Sequence, residues 1–79
     1  MSKEGKHRRN EEGIKTLATN IRKYRKERGI TIEQLANELD VDYSQISRME
    51  RGIVNANISI VFDIAKTLGI KPYKLLEQE

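Results

Sequence analysis

Arg48 stands two residues after Ile46, so on a helix anchored by Ile46 it points away from the core. A guanidinium placed there can donate two parallel hydrogen bonds to O6 and N7 of a guanine, or bond a phosphate. The alternative is a solvated surface arginine. Tyr43 and Ser44 open the same segment. Tyr43 can stack on a sugar or touch a thymine methyl, and it can equally cover a turn as a half-buried aromatic. Ser44 is small enough to let a helix approach a partner closely. None of this is bond-making chemistry. The chain has no cysteine, hence no thiol nucleophile and no thiolate zinc site, and its single histidine, His7, has no second histidine with which to share a metal. No carboxylate pair or serine triad has positional support. The legible chemistry is recognition, with no enzyme activity, cofactor or metal expected.

Arg25 and Glu50 carry a different chemistry. Arg25 is four residues after Ile21, and Glu50 is four after Ile46. Each charge therefore rides the edge of an apolar helical stripe. Two opposite charges drawn toward one core should pair, because a buried charge without a partner is costly.

The charge distribution narrows the class of partner. Residues 1–28 hold ten basic and four acidic side chains, residues 29–52 two and five, and residues 53–79 three of each. A basic excess at the front of a chain is either a solvated tail and helix face or an electrostatic footprint for nucleic acid. Residues 1–13 contain one apolar side chain, Met1, besides two glycines, and read as a flexible basic arm. Its cations Lys3, Lys6, His7, Arg8 and Arg9 would add nonspecific affinity at most.

The elements that must position these groups follow from periodicity. Ile14, Leu17, Ile21 and Tyr24 recur at helical spacing, and Gly29 follows the late-turn cations Arg25, Lys26 and Arg28. Thr31 and Gln34 form a capping box ahead of Ile32, Leu35, Ala36 and Leu39. Asp42 and Gln45 read as a second box, ahead of Ile46 and Met49, with Gly52 as the stop. Two short helices separated by about three residues form a helix-turn-helix arrangement. Residues 53–56 connect to a further helix capped by Asn57, carrying Ile58, Val61, Phe62, Ile64, Ala65 and Leu68 and closed by Gly69. This most apolar segment should floor the core. Pro72 suits the first position of a last helix with Tyr73, Leu75 and Leu76. The expectation is an all-α domain of five short helices over residues 14–79.

No apolar run approaches the roughly 20 residues of a membrane-spanning helix, and the N-terminal stretch lacks the apolar centre of a signal peptide. A soluble, cytoplasmic protein is expected. A chain of 79 residues suits one small domain of marginal stability. Pairing with a second copy would help it.

The stretch Leu17–Leu76 resembles the helix-turn-helix domain of the lambda-repressor-like family, also called Cro-repressor or XRE-type. The matching strings are Leu17-x3-Ile21-Arg22-x-Tyr24-Arg25-x-Glu27-Arg28-Gly29 and Thr31-Ile32-Glu33-Gln34-Leu35-Ala36. They continue with Ile46-Ser47-Arg48-Met49-Glu50-Arg51-Gly52 and Ile64-Ala65-Lys66-Thr67-Leu68-Gly69-Ile70. Four blocks in the right order are more specific than a helix-turn-helix pattern alone. Where the family often has glycine in the turn, this chain has Asp40, which tolerates a left-handed backbone better than most residues.

The resemblance implies a five-helix domain that binds palindromic operator DNA as a homodimer and regulates transcription. It implies a recognition helix over about Tyr43–Glu50, with Tyr43, Ser44 and Arg48 facing the bases. Thr31, Gln45, Ser47, Arg51, Asn55 and Asn57 would lie at or near phosphates. It makes Arg25–Glu50 a structural ion pair that orients the recognition helix. Regulation would come from occupying a promoter or touching RNA polymerase. Short members of the family include restriction–modification controller proteins and phage-type repressors, and this length is compatible with either. The alternative is a protein-interaction module of the same fold, such as the antitoxin half of a toxin–antitoxin pair, with its partner on the arm or the last helix.

Overall fold

The computed structural model describes residues 8–78. These form four α-helices and a short 3-10 turn: α1 (Glu11–Arg28), α2 (Ile32–Leu39), α3 (Tyr43–Glu50), α4 (Ile58–Leu68) and the turn Pro72–Leu75. No strand occurs among the described residues, so the all-helical expectation holds. Lys3, Lys6 and His7 of the basic arm lie outside the described residues.

Helix α1 begins at Glu11, three residues before the apolar period starts at Ile14. The cause is local. Asn10 is the cap, its Oδ1 accepting from the Gly13 amide at 2.7 Å, and Glu11 and Glu12 then occupy the positive end of the helix dipole. At the other end Gly29 takes a left-handed φ of 77°. Helix α2 starts with the expected capping box: the Gln34 amide donates to Thr31 Oγ1 at 3.0 Å, and the Thr31 amide donates to Gln34 Oε1 at 2.8 Å. Asp40 ends it in a left-handed conformation, φ 59°, the one non-glycine residue so placed among those described.

The second capping box does not form. Asp42 caps α3 with its backbone alone, because the Gln45 amide donates to the Asp42 carbonyl at 3.0 Å and needs no side-chain acceptor. The expected fifth helix is also absent. Its place is taken by the four-residue 3-10 turn, closed by i to i−3 bonds from Lys74 to Lys71 and from Leu76 to Tyr73. Pro72 supplies no amide hydrogen, and four residues are too few to establish an α-helical ladder. The carbonyls that a longer helix would have used are satisfied from outside. Buried Asn20 of α1 donates through Nδ2 to the carbonyls of Leu75 and Glu77, both at 2.9 Å.

The core lies between α1, α2, α3, α4 and the final turn. Ile21, Leu35, Ile46, Ile64 and Leu75 are fully buried at its centre, one from each element. Leu17, Ala36, Met49, Val61, Ala65 and Leu68 pack around them. Helix α4 differs from the sequence expectation at one edge of its stripe. Ile58 and Phe62 are more than half exposed, at 61% and 54%, while Ile60 is buried in the core. At the far end of the domain, the Arg28 guanidinium donates to the Thr67 carbonyl and ties the end of α1 to the last turn of α4. No helix among the described residues is long and apolar enough to cross a membrane.

Candidate nucleic-acid interface

Helix α3 is two turns long and could not hold its own conformation in isolation. Packing holds it. Ile46 and Met49 anchor one side in the core, Ser44 and Arg48 stand exposed on the opposite side, and Tyr43 and Gln45 are exposed at its flanks. Ser47 is half-buried between the two. At the C-terminal end the Arg51 amide donates to the Ser47 carbonyl, and Gly52, at φ 71°, reverses the chain. The Ile53 amide then takes the Arg48 carbonyl at 3.1 Å, so the helix ends with its carbonyls satisfied.

A buried ion pair fixes the rotation of α3. Arg25 Nε donates to Glu50 Oε2 at 2.6 Å, and Arg25 Nη2 donates to Glu50 Oε1 at 3.0 Å. Both residues are buried, and Arg25 Nη1 donates onward to the Ile30 carbonyl at 2.9 Å. The hydrogen bond to Glu50 is the main reason the Arg25 guanidinium sits further above its ordinary range; burial opposes that shift. The structure therefore brings together the two charges that the sequence placed at the edges of separate stripes.

Arg22 is a member of this cluster that sequence reasoning did not single out. Its Nη2 donates to the Glu50 backbone carbonyl at 2.9 Å, and its Nε lies 3.8 Å from Glu50 Oε1. The last carbonyls of a helix attract cations. The available signal was its position, three residues before Arg25 and so on a neighbouring part of α1.

An open groove of about 340 Å³ runs between the start of α3 and the connector before α4. Ser44, Gln45, Arg48, Asn55 and Asn57 all line it, together with Asp42. Five of the residues read from the sequence as candidate contacts thus share one surface feature. Thr31, Tyr43 and Arg51 are exposed but lie outside this groove. Several of the polar groups are partly engaged. Thr31 Oγ1 accepts from Gln34, and Asn57 Oδ1 accepts from the Ile60 amide at 3.0 Å as the cap of α4. Each keeps a donor available, the threonine hydroxyl or the asparagine NH2. Asn55 Nδ2 donates to the Arg8 carbonyl at 3.2 Å.

A short helix, a three-residue link through a left-handed Asp40, and a second short helix exposing its polar first turns define a helix-turn-helix protein. The chain belongs to the helix-turn-helix family, of the XRE type: the family model described as "Helix-turn-helix" matches residues 21–75, more than half of its length. Among curated proteins it is 37% identical over 60 residues to the HTH-type transcriptional regulator SlrR of Bacillus subtilis, covering 75% of this chain and 40% of that protein. It is 31% identical over 61 residues to the HTH-type transcriptional regulator DdrOP3 of Deinococcus deserti, covering 77% of this chain and 47% of that protein. The matched part thus spans less than half the length of either regulator. Among solved structures, the hypothetical transcription factor NHTF from Neisseria superposes with a TM-score of 0.80 at 31% identity, covering 87% of this chain and 80% of that one. The restriction–modification controller protein C.AhdI from Aeromonas hydrophila superposes with a TM-score of 0.75 at 27% identity, covering 78% and 94%.

Proposed function

We propose that this chain is a sequence-specific DNA-binding transcription regulator that acts as a homodimer on a palindromic operator. The observation that carries the reading is the mounting of α3. Its apolar side is buried, its rotation is fixed by Arg25 and Glu50, and its polar first turns are exposed beside the groove. A helix held in this way can enter a major groove with its N-terminal residues at the base edges. In this reading Tyr43, Ser44 and Arg48 face the bases. Thr31, Gln45, Ser47, Arg51 and Asn57 form the side that meets the phosphate backbone, with Asn55 beside them in the lining of the groove. Phosphate contacts set the register, and base contacts supply the specificity.

Dimerisation uses exposed apolar surface. Ile58 and Phe62 lie one turn apart on α4, Leu76 shares a groove with Ile58, and Tyr73 is exposed in the final turn. The sequence alone points to the last helix, with Ile70, Tyr73, Leu75 and Leu76, and to the connector Ile53–Val54 as the dimer surface. Leu75 is fully buried and Ile70 is packed against the core, so neither is available to a second copy. Two copies joined through Ile58, Phe62, Tyr73 and Leu76 would present their α3 helices to successive major grooves, about 34 Å apart. Bound at a promoter, such a dimer regulates by occupying the site or by touching RNA polymerase.

The test is selection of bound duplexes from a random pool. A two-fold symmetric motif supports the reading, and a pool that stays random after repeated rounds contradicts it.

A further inference from the structure

Two adjacent arginines at the head of the described chain are used differently. Arg9 is committed within the protein. Its Nε donates to Glu11 Oε2 at 2.7 Å, and its Nη2 donates to the Ile53 carbonyl at 3.2 Å. Arg8 is exposed, and its guanidinium makes no hydrogen bond or ion pair among the described residues. Its backbone is nonetheless held, because Asn55 Nδ2 donates to the Arg8 carbonyl at 3.2 Å. The two bonds, Arg9 to Ile53 and Asn55 to Arg8, span 44 and 47 positions of sequence and lay the segment before α1 against the connector before α4. Asn55 also lines the groove that holds Ser44, Gln45, Arg48 and Asn57.

From this geometry we infer that Arg8 is a DNA-phosphate contact and that Asn55 serves it as a positioning residue. The inference rests on the DNA-binding reading above. A cation with no partner among the described residues, tied by its own backbone to the rim of that groove, adds one charge to the side that meets the DNA backbone. Arg9 is spent as the rivet that keeps it there. The contact carries no sequence information, because phosphates are alike at every base step. It deepens affinity and salt sensitivity only.

The experiment is DNA binding by the full chain at several salt concentrations, on a selected site and on a scrambled duplex. Arg8→Ala should weaken both duplexes by the same factor and flatten the log–log salt slope by about 0.9 per subunit. Arg8→Lys should restore most of the slope. Asn55→Ala should weaken both duplexes in the same way, and adding it to Arg8→Ala should cost nothing further. An unchanged slope in Arg8→Ala overturns the contact. Additive losses in the double variant would mean that Asn55 touches DNA by itself, which overturns its positioning role. Failure of the unmodified chain to bind any duplex would instead remove the underlying reading, and the inference with it. Thermal melting of each variant, expected to match the parent because Arg8 and Asn55 are exposed, separates these outcomes from loss of fold.

Discussion

Arg25 and Glu50 are 25 positions apart and meet through two side-by-side hydrogen bonds of 2.6 and 3.0 Å, both residues buried. The pair joins the C-terminal half of α1 to the last residue of α3. It ties the helix proposed to read DNA to the longest helix of the domain. Removing Glu50 strands the buried Arg25 charge, and removing Arg25 leaves buried Glu50 with only the looser contact to Arg22 at 3.8 Å; the expected cost of breaking such a pair is about 3–5 kcal/mol. Arg25→Ala and Glu50→Ala should each show it in denaturant unfolding. The double variant should lose clearly less than the sum, since no charge is then stranded. Additive losses would remove the pair from the account.

Asn20 is the anchor of the C-terminal segment, donating to the carbonyls of Leu75 and Glu77. Asn20→Ala leaves both acceptors without it in a partly buried setting, at an expected cost of about 1–3 kcal/mol. The loss should be local first. Hydrogen exchange should accelerate at the amides of Lys74 and Leu76, which close the 3-10 turn, before it does so in α2. Uniform acceleration throughout the domain would contradict this placement.

The proposed dimer surface separates from the core at a single residue. Phe62→Glu puts a charge on an exposed apolar surface and should shift sedimentation from dimer to monomer at micromolar concentration, leaving helix content unchanged. Leu75→Ala, at a fully buried position, should instead destabilise the fold by about 2–5 kcal/mol. A parent chain that sediments as a monomer at high concentration, with and without DNA, would contradict the proposed interface.

The elements were legible in the sequence where the determinants are local. Thr31 and Gln34 sit three residues apart, so their reciprocal bonds leave a signature in any listing of the chain. The Arg25–Glu50 pair was legible because each charge rides an apolar stripe. The ties from Asn20 to Leu75 and Glu77, from Arg22 to Glu50 and from Arg9 to Ile53 were not, because these acceptors are backbone carbonyls that every residue carries, reached across the fold. Ile58 and Phe62 were read as core because helical period alone cannot tell the centre of a stripe from its exposed edge. The final turn was read as a helix because Pro72 marks a start but gives no length. Of the candidate interface, the exposed face of α3 could be read directly, since Ile46 and Met49 dictate which side is buried. The link from Asn55 to Arg8 could not, because no periodicity connects residues 47 positions apart.

The central claim is that α3 reads bases while its flank holds phosphates, and Arg48 and Arg51 separate the two. Both are exposed, three residues apart at the end of the same helix. The decisive measurement is the affinity of Arg48→Ala and Arg51→Ala for a selected duplex and its scrambled counterpart across a salt series. Arg48→Ala should lose about 1–3 kcal/mol on the selected site and relax preference at one base per half-site. Arg51→Ala should weaken both duplexes by similar factors and flatten the salt slope by about 0.9 per subunit. If Arg48→Ala leaves specificity intact while Arg51→Ala abolishes it, the face of α3 assigned to the bases is the wrong one.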